Sequence, residues 1–341
     1  MKILFIGGSG TISRAVTQQT IAAGHELWLL NRGKRRPIPG ARVIVGDMAD
    51  VDGVRAALRG HTWDVVVDFI AFGPADVRRD IELFRGSTRQ YFFISSASAY
   101  QKPPANYLIT EATPLANPHW EYSRQKIAAE AELLGAVRAT GFPGVIVRPS
   151  LTFGEDMVPL VLNASGKGWT LIDRMRRGAP VIIPGDGSSL WTITHNSDFA
   201  AGLIGLFGNP ATIGEAFHIT SDEVLTWNQI FAQAAEVAGA RAAKFVHIPS
   251  DFIIACVPAV EGTLLGDKAV SCVFDNAKLK RFVPGFAAKT SFADGLRQTI
   301  AWFEAAPARQ VIDEATNQQW DKLVAAYERG LASAKAEFAD Q

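Results

Sequence analysis

The opening of the chain constrains its fold more than any other stretch. Lys2-Ile3-Leu4-Phe5-Ile6 is a short apolar run of strand character, and Gly7-Gly8-Ser9-Gly10-Thr11-Ile12-Ser13 follows it with no spacer and opens a helical pattern. A strand that turns on glycines straight into a helix brings backbone amides against a pyrophosphate, and the positive end of the helix favours the phosphate charge. Read as GxxGxxG, the first two glycines are Gly7 and Gly10, and Ser13 takes the third place with little added bulk. Ser9, Thr11 and Ile12 complete the turn that would face the ligand. A ligand-free glycine turn explains an isolated motif well, but it explains one at the end of an N-terminal strand poorly.

The first half of the chain then alternates apolar β-type runs with helical stretches. Strands are expected at Ile3–Ile6, Glu26–Leu30, Arg42–Val45, Val65–Phe69, Tyr91–Ile94 and Gly144–Val147, with helices at Ile12–Ala23, Val51–Leu58, Val77–Phe84 and Tyr122–Thr140. This rhythm predicts an α/β fold, a Rossmann-type doubly wound parallel sheet covered on both faces. With 341 residues the chain exceeds one typical core, so a dinucleotide-binding domain over 1–150 and a smaller, interwoven C-terminal substrate-binding lobe over 151–341 are expected. A segment at about 190–208 is expected to return to the first domain. Trp227–Ala238 and Phe292–Phe303 read as amphipathic helices of the lobe, and about 317–338 as a polar terminal helix docked by Trp320.

Bulk properties exclude several classes. The 34 acidic and 34 basic side chains cancel, leaving no electrostatic footprint for a nucleic acid or an anionic membrane. Cys256 and Cys272 form no CxxC pair, so neither a disulfide framework nor a metal site is expected, and a reducing cytoplasm is the simpler location. The N-terminal strand leaves no room for a signal peptide, and the apolar run Phe252–Val260 is short and broken by Pro258. A soluble, cytoplasmic protein with a small-molecule substrate is expected.

Residues after the next strands bear on the same dinucleotide. An acidic residue at the end of the second strand usually accepts the ribose hydroxyls of NAD, whereas here Asn31-Arg32 stands there. A guanidinium suits a 2′-phosphate, so NADP is preferred, with NAD the alternative. For Lys34, Arg35 and Arg36 a solvated basic turn is an equally good explanation. Asp47 and Met48, after the third strand, would lie near the adenine, and Ala71 where the chain passes the adenosine half.

Tyr122 and Lys126 lie four residues apart and share one helix face. A tyrosine titrates near pH ~10 when unperturbed. A nearby ammonium favours the phenolate and makes the phenol a workable acid/base. The pair follows Tyr91-Phe92-Phe93-Ile94-Ser95-Ser96, an apolar strand ending in hydroxyl residues. Together with Glu111, Arg148-Pro149, Phe153-Gly154, Gly185-Asp186-Gly187 and Asp198, this ordered series resembles the extended short-chain dehydrogenase/reductases of the NAD-dependent epimerase/dehydratase family. The closest likeness is to the branch of bacterial epimerase homologues and chloroplast stem-loop RNA-binding proteins. The resemblance implies that Ser96 polarises the substrate oxygen, Tyr122 exchanges its proton, Lys126 also holds the nicotinamide ribose, and Pro149 and Ser150 lie by the nicotinamide carboxamide. It implies an oxidoreductase or epimerase acting on a carbonyl or alcohol carbon of a sugar-like or other small substrate. The competing class is a non-catalytic dinucleotide-sensing or RNA-binding homologue. A homodimer through the Tyr122 helix and Val77–Phe84 is usual for the superfamily, but the charges on the latter give a monomer equal weight.

The chain also departs from that pattern. Ala97-Ser98 stands where sugar dehydratases carry an Asp-Glu pair, which disfavours dehydration. Trp191 stands seven residues before Asp198, where an Arg usually meets a nucleotide diphosphate. Either Trp191 packs the lobe, with Arg174 or Arg176 contacting substrate instead, or it stacks on the substrate. His195 is expected to serve a helix start rather than catalysis, and Glu155 and Asp156 to lie in an exposed loop.

Overall fold

Valine, isoleucine and phenylalanine runs with no exposed face can only be satisfied inside a sheet covered on both sides. The computed structural model describes residues 1–34 and 36–339, so Arg35 lies outside the described residues. Strands β1 (Lys2–Ile6), β2 (Glu26–Asn31), β3 (Ala41–Val45), β4 (Val65–Asp68) and β5 (Tyr91–Ile94) join the strands Gly144–Pro149 and Ala216–Ile219 in one parallel sheet. From one edge the order runs Ala216–Ile219, Gly144–Pro149, β5, β4, β1, β2, β3. Strand order reverses at β1, whose Ile6 pairs with Leu30 on one side and Asp68 on the other. A crevice at such a switch point, beyond the carboxyl ends of the strands, is where doubly wound sheets bind ligands.

Helices α1 (Thr11–Ala22), α2 (Val51–Ala57), α3 (Pro74–Phe84) and α4 (Glu121–Thr140) cover the sheet. One face buries Phe5, Val16 and Leu203, the other Leu4, Val54 and Ala129. The helix Asn196–Gly205 packs on α1, and the seventh sheet strand, Ala216–Ile219, follows it. That strand is absent from the sequence reading because it has only four residues and one is His218. The imidazole is tolerated in the core because Tyr100 Oη lies 3.1 Å from Nδ1 and the Asp275 carbonyl 2.6 Å from Nε2.

The remaining residues build a lobe with its own apolar core, around the paired strands Pro180–Pro184 and Lys244–Ile248. Trp191 is buried there, stacked on Trp227 at 5.9 Å, so of the two alternatives it takes the packing role. The helix Glu314–Ala339 begins earlier than expected because Asp313 Oδ1 accepts from the Ala315 and Thr316 amides. It docks through the buried Trp320. Among the described residues no helix is long and apolar enough to cross a membrane.

Candidate active site

A cleft of about 470 Å³ opens at the switch point, lined by Gly7, Gly8, Ser9, Gly10, Asn31 and Arg32, among others. Gly7 and Gly8 both have left-handed φ, 101° and 92°. A Cβ at Gly8 would stand 2.7 Å from Leu29 Cδ2, so Gly8 has a steric role that the GxxGxxG reading did not assign. Ser13 fits the third glycine place: it is buried and its Oγ accepts from the Gly10 amide at 2.8 Å. Thr11 is the first residue of α1. These features fit a dinucleotide: a tight backbone turn, a helix start, and open space in front of them.

Further along the cleft, the Asn31 carboxamide accepts from the Gly33 amide at 2.8 Å, which orients the turn carrying the exposed Arg32 and Lys34. Both of these cations line the cleft, as do Asp47 and Met48. Phe69 and Ile70, rather than Ala71, form its wall beyond β4.

Ala71 contacts helix α4 instead. Its carbonyl accepts from Lys126 Nζ at 2.7 Å, and the Ile94 carbonyl does so at 3.0 Å. The ammonium also lies 5.7 Å from the Tyr122 ring and 4.8 Å from that of Phe93. Burial lowers the Lys126 pKa to about 8, opposed by the charges of Asp68, Asp76 and Glu130. Tyr122 is shifted the other way. Burial raises its pKa most, Ser96 works against that rise, and the Asp267 charge adds to it. The acidifying influence expected of Lys126 is not among the causes of this shift, whose direction is set by desolvation.

Ser96 belongs to a chain of hydroxyls. Ser123 Oγ donates to Ser98 Oγ at 2.8 Å, and Ser98 Oγ lies 2.9 Å from Ser96 Oγ. The Ser98 amide also donates to Ser96 Oγ at 3.2 Å. Either hydroxyl of the Ser96–Ser98 pair can donate to the other, so Ser96 can hold its proton free for a substrate oxygen when Ser98 is the donor.

The loop carrying Ala71 hangs on a buried carboxyl pair that the sequence did not reveal. Asp68 Oδ1 accepts from the Ile70 and Ala71 amides at 2.6 and 2.8 Å. Asp80 is buried beside it, with its pKa raised by desolvation and by the Asp68 charge. Asp68 Oδ2 has no hydrogen-bond partner among the described residues, and the Arg79 guanidinium lies 3.8 Å from it. Tyr91 Oη and Arg79 donate to Asp80.

The remaining expected residues are placed as follows. Pro149 is buried at the end of its strand, and Ser150 Oγ lies 3.2 Å from the Thr192 carbonyl. His195 caps the helix Asn196–Gly205, its Nδ1 2.7 Å from Ser197 Oγ, so the helix-start role holds. Glu155 and Asp156 are not free: Arg14 pairs with both, at 3.1 and 3.0 Å, and Thr11 donates to Asp156. Arg174 and Arg176 do not reach substrate space. Arg174 is fully buried, bonded to Asn317, Asp321 and the Pro180 carbonyl, and Arg176 pairs with Glu304.

Comparison with known proteins agrees with this architecture. The model of the NAD dependent epimerase/dehydratase family matches residues 3–220. The chain belongs to that family. Its activity is of the NAD-dependent extended short-chain dehydrogenase/reductase type. It is 26% identical over 273 residues to the chloroplast stem-loop binding protein of 41 kDa b of Arabidopsis thaliana, covering 74% of this chain and 67% of that one. It is 25% identical over 290 residues to the 2'-dehydrokanamycin reductase of Streptomyces kanamyceticus, covering 84% and 80%. The crystal structure of dTDP-glucose 4,6-dehydratase from Bacillus anthracis in complex with NAD superposes with a TM-score of 0.72 at 17% identity, covering 90% and 98%. That last likeness concerns the fold alone.

Proposed function

We propose that this family member is an NADP-dependent oxidoreductase that interconverts a carbonyl and an alcohol on a small substrate, with Ser96, Tyr122 and Lys126 as catalytic residues. The observation that carries the reading is the placement of Tyr122 and Lys126 on α4, with the Lys126 ammonium 5.7 Å from the Tyr122 ring and Ser96 acting on the Tyr122 phenol. Bound in the cleft, the dinucleotide supplies or accepts the hydride at the reacting carbon. Ser96 donates a hydrogen bond to the substrate oxygen, and Tyr122 Oη delivers the proton to it or removes it. Lys126, held by the Ala71 and Ile94 carbonyls, keeps a positive charge near that oxygen at neutral pH.

Arg32 and Lys34, exposed at the adenosine end with no carboxylate in the Asn31 place, support NADP over NAD. Dehydration is disfavoured because the Ala97–Ala99 turn beside Ser96 carries no carboxylate. The 2'-dehydrokanamycin reductase relative is consistent with net reduction.

Two measurements test this. Denaturing the purified protein and identifying any released dinucleotide should give NADP, and NADPH should be consumed in stoichiometric exchange with a carbonyl substrate. Recovery of NAD that never exchanges during turnover would overturn net reduction in favour of epimerisation. Salt-sensitive RNA binding, with no NADPH consumption across a carbonyl panel, would overturn the enzyme reading.

A further inference from the structure

The reading above leaves the substrate class unspecified, and a second cavity bears on it. This cavity, of about 330 Å³, lies in the lobe between the loop 157–165, the segment Ile253–Lys268 and the terminal helix. Leu151, which follows Ser150, lines one side. Thr263 and Lys268 line another, and their segment closes on the start of α4: a Cβ at Gly262 or Gly266 would collide with Trp120. Trp120 in turn packs on Tyr122 at 4.9 Å between ring centres. The cavity thus reaches the strand end expected at the nicotinamide through Leu151, and one of its wall segments packs against the helix start that carries Tyr122.

Its walls are mostly apolar, with Asn163, Ser165, Thr263, Thr316 and Gln319 adding neutral polar groups. Met157, Leu160, Val161 and Leu162 face Ile253, Val257 and Leu323 across it. Leu162 is held at φ 61°, the left-handed value that a branched side chain adopts only under constraint, and among the described residues no other non-glycine does so. Lys268 is the sole charged lining residue among those described, and its ammonium is already paired with Asp267 at 2.7 Å. A nucleotide diphosphate brings two phosphate charges that need free cations. None is available among the described lining residues: Trp191 fills the usual Arg place within the core, the buried Lys102 beside its ring is bonded to Cys272, and Arg174 and Arg176 are engaged elsewhere. The volume sits at the low end of the range of about 300–1,000 Å³ common for small-molecule sites.

We propose that this cavity is the substrate pocket and that it takes an uncharged, largely apolar cyclic or aromatic carbonyl compound, not a nucleotide-diphosphate sugar. The assignment rests on the oxidoreductase reading for the reacting end and on the cavity alone for the remainder of the substrate.

The test uses the full chain loaded with NADP⁺ and two apolar ketone probes, 2-acetylnaphthalene and 4-phenylcyclohexanone, with UDP as the polar comparator. Calorimetry should show that at least one ketone binds and that UDP neither binds nor competes. Val257→Trp or Val260→Phe, each at a half-buried position on the wall, should weaken ketone binding by about tenfold or more while NADP⁺ affinity stays unchanged. Failure of both ketones to bind, UDP binding more tightly than either, or ketone affinity unmoved by both filling variants would overturn the pocket assignment. NADPH consumption is followed in parallel. Ketone binding without oxidation of NADPH would sink the oxidoreductase reading and leave the pocket standing, whereas oxidation driven by sugar carbonyls with no ketone binding would do the reverse.

Discussion

Lys126→Met separates what the buried ammonium does for chemistry from what it does to stability. In the native chain its pKa falls from 10.5 to about 8, chiefly through burial. At 1.36 kcal/mol per pH unit this displacement corresponds to about 3 kcal/mol. The folded-state value lies below the unfolded one, so between about pH 8 and pH 10.5 the unfolded chain binds more protons. Wild-type stability gained from this group therefore rises with pH through that window, and below it the full cost of the buried charge is present. Methionine has no charge to bury. It also leaves the Ala71 and Ile94 carbonyls without their donor, at about 1 kcal/mol or more each, a loss that acts at every pH.

The stability difference, variant minus wild type, is thus expected to be more favourable to the variant near neutrality than at about pH 10.5, by about 3 kcal/mol. Urea unfolding followed by circular dichroism for both proteins at several pH values measures it directly. Parallel stability profiles across the window would refute the reasoning. Turnover should be lost in the variant throughout.

Other substitutions address the neighbouring elements. Arg32→Asp should lower NADPH affinity by about tenfold or more and spare NADH, read by fluorescence titration, because a carboxylate repels the 2′-phosphate and suits free ribose hydroxyls. Gly8→Ala places a Cβ 2.7 Å from Leu29 Cδ2 at φ 92°, and a thermal unfolding series should show a loss of roughly 1–3 kcal/mol with weaker dinucleotide binding. Asp68→Ala strips the Ile70 and Ala71 amides of their acceptor, for a loss of roughly 2–3 kcal/mol and a lower kcat through a displaced Lys126. An unchanged kcat there would show that the Ala71 loop does not position the lysine.

The sheet and its phosphate turn were legible because their signals are local: apolar runs of strand length, glycines at a strand end, helical periodicity. Six of the seven sheet strands fall within two residues of the expected bounds at either end. Ala216–Ile219 did not announce itself, since His218 breaks the apolar run and is reconciled only by Tyr100 and the Asp275 carbonyl. The site was half legible for the same reason. Tyr122 and Lys126 share a helix and show as spacing, whereas Asp68 and Asp80 meet only when α3 folds onto β4. The sequence also favoured an ammonium that acidifies Tyr122. Depth of burial, which no spacing encodes, reverses the sign of the Tyr122 shift.

The central claim is that the Tyr122 hydroxyl exchanges the substrate proton. Tyr122→Phe removes one oxygen and leaves the ring packed between Trp120 and Phe72. The measurement is NADPH-dependent turnover of one accepted carbonyl substrate by wild type and variant, alongside NADPH affinity. The account predicts a fall in kcat of about 10²–10⁴-fold with NADPH affinity unchanged. Turnover within a few-fold of wild type would contradict it.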